Sequence, residues 1–277
     1  MKIRHTIPFI TALIVCILIC SFSGFSADYT PFAIIGDTRI GLTETVYKKF
    51  LNTIDTQGIN LIIHTGDVID KPGNEAEWKR FLELTGNNKT LHIAPGNHDI
   101  NNSKSLKVYR QYIDKPLYYA FSLDDTQFII LCTELPQEIS RITGKQLDWL
   151  REELKKPFQY RFVFLHKPPL PTTFGQRYGL DRYKEERDIL YELLMKKKVN
   201  LVVAGHEHLY NRAAKDGITF VITGGGGARL LTMKEEYGGF FHYIIAKRTK
   251  EGYVFTVYDM NGTIRDEFYI KNEVNNG

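Results

Sequence analysis

The chain has 277 residues, 43% hydrophobic and 25% charged, the composition of an ordinary globular protein with ample core. Its 36 basic and 32 acidic residues give a net charge of +4. Lys2 and Arg4 precede the first acidic residue, Asp28, so from Asp28 on 34 basic residues face 32 acidic ones, a net of +2. That balance excludes the strongly basic surface by which nucleic-acid-coating and membrane-coating proteins are recognised.

Residues 1–27 come first and read as a leader. Lys2 and Arg4 form a basic start, residues 7–20 are apolar apart from Pro8 and Thr11, and Ser21, Ser23, Gly24, Ser26 and Ala27 follow. This is the three-part layout of a secretory signal peptide, and cleavage after Ser26 places Gly24 and Ser26 at the small-residue positions. Left uncleaved, the run reaches Phe25 and borders on the ~20 residues of an N-terminal membrane anchor. The basic start then leaves the rest outside the cytoplasm. A buried helix of the domain is the third option. Ile19 is too large for a lipidated Cys20. Residues 28–277 are expected to form one domain that is exported, whether secreted, periplasmic or cell-surface. Membrane contact is expected only through the leader. With the leader set aside, Cys132 is the one remaining cysteine and reads as a small buried side chain.

From Tyr29 short apolar runs alternate with amphipathic segments. Phe32-Ala33-Ile34-Ile35 reads as a strand that feeds a helix over 44–55. Leu61-Ile62-Ile63-His64 is a second strand, followed by the loop Lys71-Pro72-Gly73-Asn74 and a helix over 75–84. Leu91-His92-Ile93-Ala94 is a third, with a longer loop around 101–104. Strands over 117–122 and 127–132 turn at Asp124-Asp125. A helix over 144–155 precedes the strand Arg161-Phe162-Val163-Phe164-Leu165. Residues 167–183, rich in Pro, Gly and Tyr, read as a functional loop. A helix over 184–197 precedes Leu201-Val202-Val203-Ala204. Strands over 218–222, 240–246, 253–258 and 263–270 close the chain, with Asn261-Gly262 as a hairpin turn.

Five of these strands are followed at once by short polar motifs. They are Gly36-Asp37, Gly66-Asp67, Gly96-Asn97-His98-Asp99, His166 and Gly205-His206-Glu207-His208. In α/β proteins ligands bind just past the carboxyl ends of strands. Oxygen and imidazole donors brought together there suit divalent metals. Taken singly each motif is weak: Asp37 alone reads as a helix cap and His166 alone as a loop histidine. His64 and His92 lie inside strand runs and read as core residues, and His242 shows no partner.

The ordered series resembles the calcineurin-like metallophosphoesterase superfamily, close in style to its purple acid phosphatase branch. The likeness takes in His166-Lys167-Pro168-Pro169, Tyr118 to Ser122, Gln146 to Leu150 and Ile222 to Gly227, roughly from Thr30 on. It implies an α/β fold of two packed mixed β-sheets flanked by helices, a four-layer α/β/β/α sandwich. It implies two divalent or trivalent metal ions, manganese, iron or zinc. Asp67 would bridge them, with Asp37 and His208 on the first and Asn97, His166 and His206 on the second. A metal-bound hydroxide would attack phosphomonoesters or small phosphodiesters. His98 would stabilise the transition state or protonate the leaving alkoxide, with Asp99 to orient it.

The chain departs from the family at Arg39. Many members carry His two residues after the first Asp, and the purple acid phosphatases instead place Tyr where Asp70 stands here. Arginine cannot ligate. Water could complete the first metal's shell, Asp70 could reach in, or the first site could be weak. Arg39 itself either forks onto substrate phosphate or pairs with Asp70. Phe174, Arg177, Tyr178, Arg182 and Tyr183, with Tyr210, Asn211 and Arg212, are candidates for a substrate wall or plain loop residues. The expectation is a small phosphoester substrate and no nucleic acid. The alternative is a metal-poor, catalytically impaired binding or scaffold protein of the same fold.

Overall fold

A computed structural model describes residues 29–271, and the expected leader lies outside the described residues. The elements begin with β1 (Phe32–Ile35), α1 (Thr45–Thr56), β2 (Leu61–His64), α2 (Glu75–Thr85), β3 (Thr90–Ile93) and α3 (Ser103–Tyr112). Then come β4 (Tyr119–Leu123), β5 (Thr126–Ile130), α4 (Gly144–Glu153), β6 (Tyr160–Leu165), α5 (Lys184–Lys196) and β7 (Leu201–Ala204). The chain closes with β8 (Tyr210–Lys215), β9 (Ile218–Thr223), β10 (His242–Thr249), β11 (Gly252–Asp259) and β12 (Ile264–Lys271). Two six-stranded mixed sheets result, in the orders β12-β11-β10-β1-β2-β3 and β4-β5-β6-β7-β9-β8.

Strand alternation builds the layers. Phe32 and Ile34 of β1 enter the core between the sheets, where they join Phe128, Phe162, Phe164 and Phe255. Ala33 and Ile35 point the other way, onto Tyr47, Phe50, Trp78 and Phe81 of α1 and α2. On the outer face of the second sheet Val163, Leu165 and Val202 meet Leu150 of α4 and Leu190 and Leu194 of α5. The layers therefore run helix, sheet, sheet, helix, as expected. Strands covered on both faces must be apolar throughout, which is why they read as continuous runs. Burying each of these aromatic side chains is worth about 1.5–3 kcal/mol. Phe32 and Phe128 meet edge-to-face at 5.1 Å.

Register sets the site. Ile35 lies opposite His64 and His64 opposite Ile93, so β1, β2 and β3 end on one line. In the second sheet Leu165 lies opposite Ala204 and Ala204 opposite Ile222. Gly226 N–H to Gly36 O and Ala228 N–H to Asp37 O stitch the two edges, while Asp37 N–H to Gly66 O and Gly205 N–H to His166 O extend each edge past its strands, each at 2.9 Å.

Two elements differ from the sequence reading. The loop expected around 101–104 runs into α3, started by a capping box in which Asn102 Oδ1 accepts from Ser105 N–H and Ser105 Oγ accepts from Asn102 N–H. Residues 210–215 form β8, a largely exposed edge strand antiparallel to β9, too polar to show an apolar run. Cys132 is buried and unpaired, as expected. Among the described residues no helix is long and apolar enough to cross a membrane.

Candidate metal centre

Four non-glycine residues at the strand ends hold left-handed backbone: Asp37 (φ 57°), Arg39 (49°), Asp67 (53°) and His206 (70°). Such strain gathers where function needs a side chain aimed against backbone preference. Here it lets sharp turns point side chains from both sheets into one crevice. Glycine supplies the room. A Cβ on Gly96 would stand 2.3 Å from Asp67 Oδ1, and one on Gly205 would stand 2.5 Å from Asp37 Oδ2. Neither position admits a larger residue without moving a carboxylate.

The structure brings Asp37, Asp67, Asn97, His166, His206 and His208 together. Carboxylate oxygens of Asp37 and Asp67 and a ring nitrogen of His166 lie within 4.8 Å of one another. All three residues are buried. Thr65 O accepts the Nδ1–H of His166 at 2.9 Å, and Arg229 O accepts that of His208 at 2.8 Å. A carbonyl oxygen can only accept, so each ring carries a proton on Nδ1 and turns Nε2 inward. His166 Nε2 then faces Asn97 Oδ1 and His206 Nδ1, both at 3.1 Å, and Asp67 Oδ1 at 3.4 Å. His208 Nε2 stands 3.4 Å from Asp37 Oδ1.

Electrostatics point the same way. Burial pushes the Asp37 carboxyl well above the usual carboxylate range. Burial also holds His166 below the usual imidazole range and lowers His206 to about 3. His208 moves up: burial opposes its charge, but the Asp37 carboxylate outweighs it. Burial thus raises Asp37 against the pull of His208, while Asp37 raises His208 against burial. Imidazoles, a neutral amide and two buried carboxylates converge there. That donor set fits divalent metals.

The residues around the ligands correct the sequence reading. Asp99 does not orient His98. It is buried, and its carboxylate accepts from the backbone N–H groups of Gly96 (2.8 Å) and Val68 (2.9 Å), with Ile69 N–H at 3.4 Å. It ties the loop after β3 to the loop after β2. His98 instead donates from Nδ1 to the Asp70 carbonyl at 2.6 Å, while its backbone N–H donates to Asp67 Oδ1 at 2.8 Å. Asp99→Ala is therefore expected to lower stability rather than chemistry. Three backbone donors lose their acceptor, which amounts to about 3 kcal/mol. A thermal melt should show Tm falling by roughly 6–12 °C; an unchanged Tm would contradict this role.

Of the two alternatives for Arg39 the structure shows the pair with Asp70: its Nε and Nη2 both donate to Asp70 Oδ1, at 3.1 and 2.8 Å, which engages its Nε–Nη2 edge. Asp70 correspondingly does not reach in as a ligand. Of the suggested substrate wall, Arg212 pairs with Asp266 at 2.6 Å and Tyr183 lies under Arg141 at 4.4 Å. Phe174, Tyr210, Asn211 and Arg212 line an open cleft of ≈ 660 Å³, with Tyr237 opposite Phe174 at 6.1 Å. His64, His92 and His242 are buried and bonded, to Thr38, Tyr119 and Thr223 respectively.

Sequence reasoning missed the acids that pin the loops. Glu207, between the two histidines, is buried and accepts from Thr172 N–H at 3.0 Å, tying the loop after β6 to the loop after β7. Glu77 accepts from the N–H groups of Asp70 (2.9 Å) and Lys71 (2.8 Å). Behind His166, the Lys167 ammonium meets Glu134 at 2.9 Å in the interior. Burial, though opposed by Lys167, raises the Glu134 carboxyl to about 7.

Comparison with known proteins gives a consistent picture. The family model described as calcineurin-like phosphoesterase matches residues 30–210. A probable cyclic nucleotide phosphodiesterase of Rhodococcus erythropolis is 30% identical over 183 residues, 63% of this chain and 60% of that protein. Purple acid phosphatase 23 of Arabidopsis thaliana is 26% identical over 151 residues, 49% of this chain and 32% of that protein. The chain thus spans less than two thirds of either relative. The solved structure of a purple acid phosphatase from yellow lupin (Lupinus luteus) seeds matches with a TM-score of 0.75 at 17% identity, over 88% of this chain and 54% of that one. At that identity it supports the fold.

Proposed function

The chain belongs to the calcineurin-like phosphoesterase family, and from that premise we propose that it is a metal-dependent phosphoester hydrolase with two metal positions sharing Asp67. The observation that carries the proposal is the convergence of buried lone pairs, with His166 Nε2 within 3.4 Å of Asp67 Oδ1 and 3.1 Å of Asn97 Oδ1. Asp37, Asp67 and His208 would hold one ion, and Asp67, Asn97, His166 and His206 the other. When bound, the ions supply Lewis-acid charge for the phosphoryl oxygens and lower the pKa of an attacking water.

The chain's own residues do the rest. Thr65 O and Arg229 O hold the two histidine rings in one tautomer and one orientation. Asp70 O does the same for His98, whose Nε2 remains unbonded among the described residues and can carry a proton to the leaving oxygen. Glu207 holds the loop bearing Phe174 beside the cleft, which offers a place for the organic part of a substrate. The named relatives support phosphomonoesters and small phosphodiesters, cyclic ones included, as the substrate range. The apolar run over 7–20 behind Lys2 and Arg4 supports action outside the cytoplasm.

The test is hydrolysis of para-nitrophenyl phosphate and of bis-para-nitrophenyl phosphate before and after chelation. Activity on at least one ester is expected, lost with EDTA and restored by manganese or zinc. Activity that survives removal of all metal sinks the proposal. The ratio of the two rates reads out monoester against diester preference.

A further inference from the structure

Arg39 has a third nitrogen. With Nε and Nη2 held on Asp70 Oδ1, Nη1 stands 3.8 Å from Oδ2 of Asp67, and the side chain is only 15% exposed. The Arg39 backbone N–H also donates to Asp67 O at 3.1 Å, which fixes the two backbones side by side. The two oxygens of Asp67 are therefore unlike. Oδ1 accepts from His98 N–H at 2.8 Å and faces His166, on the second-metal side. Oδ2 faces a permanent positive charge. A guanidinium cannot be deprotonated and cannot ligate. Nearby charges at a partly desolvated site are weakly screened, so a cation here opposes a second cation.

We infer that Arg39 is a fixed cation built into the first metal position, so that the Asp37–Asp67–His208 position binds its ion more weakly than the Asp67–Asn97–His166–His206 position, with Asp70 restraining the guanidinium. Loading then has an order. The second position fills first, and the first follows at higher metal concentration. Asp70 matters because it draws two of the three nitrogens away from Asp67. The inference rests on the metal reading given above.

The experiment is calorimetric titration of metal-stripped protein with manganese(II), with elemental analysis after gel filtration. Wild type should retain one ion through the column and bind a second at least about tenfold more weakly. Arg39→Gln removes the charge and should shrink that gap about tenfold. Asp70→Asn removes the negative charge that offsets the guanidinium and should widen it. Opposite shifts in two neighbouring variants are not what a general loss of packing produces. Two equally tight sites in wild type, or a gap that Arg39→Gln leaves unchanged, would overturn the inference while the metal reading stands. Wild type that takes up neither manganese nor zinc would overturn both. If Arg39→Gln does not fold, as checked by thermal melt, the Asp70→Asn gap decides, and an unchanged gap overturns the inference.

Discussion

Asp67→Ala is expected to remove nearly all hydrolytic activity and most of the bound metal in one step. Asp67 turns one oxygen to each side of the crevice. Asp67 Oδ1 lies 3.4 Å from His166 Nε2, while Oδ2 lies on the Arg39 side at 3.8 Å. Loss of the carboxylate therefore withdraws a donor from each position at once. Metal-ion assistance contributes several kcal/mol to phosphoryl transfer, so a fall of roughly 10³ or more in kcat/KM is expected. Asp67 Oδ1 also accepts from His98 N–H at 2.8 Å, which gives a control. Asp67→Asn retains an oxygen for that N–H but loses the charge. It should keep the melting temperature near that of wild type yet still lose metal. Elemental analysis of the purified variants is the deciding measurement. Wild-type metal content in both would remove Asp67 from its shared position and shift the ligand assignment to other groups.

Much of the architecture was legible because the strands that build the site are covered on both faces. Burial from two sides leaves no room for polar residues inside Phe32 to Ile35 or Leu201 to Ala204, so these strands stand out from sequence. The polar residues that interrupt the pattern mark where the chain leaves the sheet. β8 was illegible for the converse reason: as an exposed edge its residues answer to solvent and to one neighbour. The start of α3 carried a readable signal in Asn102 and Ser105, obscured by the polar run around it.

Within the site, ligand types were legible and their partners were not. Asp99 directly follows His98, and adjacency suggested a pair. The turn instead sends the carboxylate inward, to amides more than thirty positions earlier at Val68. His98 finds its acceptor in a backbone carbonyl, and a carbonyl leaves no trace in sequence because every residue has one. Arg39 and Asp70, 31 positions apart, were one of two alternatives open in the sequence, and they meet because β1 and β2 end on one line. A rule drawn from residue types foresees which atoms can bind metal. Which of them hold one another is decided by register.

His98→Ala is expected to leave metal content unchanged and to lower turnover by roughly 10²–10⁴, the range for losing general acid or electrostatic help. His98 lies next to Asn97, yet its ring is turned toward the loop after β2, where Nδ1 donates to Asp70 O at 2.6 Å. It is therefore placed beside the ligands without belonging to them. The carbonyl keeps a proton on Nδ1, so the proton exchanged with substrate is carried on Nε2. The loss should depend on the leaving group. An alkoxide cannot depart without a proton, whereas para-nitrophenolate departs readily without one. An alkyl phosphate should thus lose turnover more steeply than para-nitrophenyl phosphate by about tenfold or more. Asp99→Ala, whose carboxylate serves backbone amides, should show no such dependence per folded molecule. Comparing the two variants on both esters separates proton delivery from loop support. Equal losses on both esters in His98→Ala would leave His98 a charge stabiliser and rule out the acid, and a drop in bound metal would make it a ligand after all.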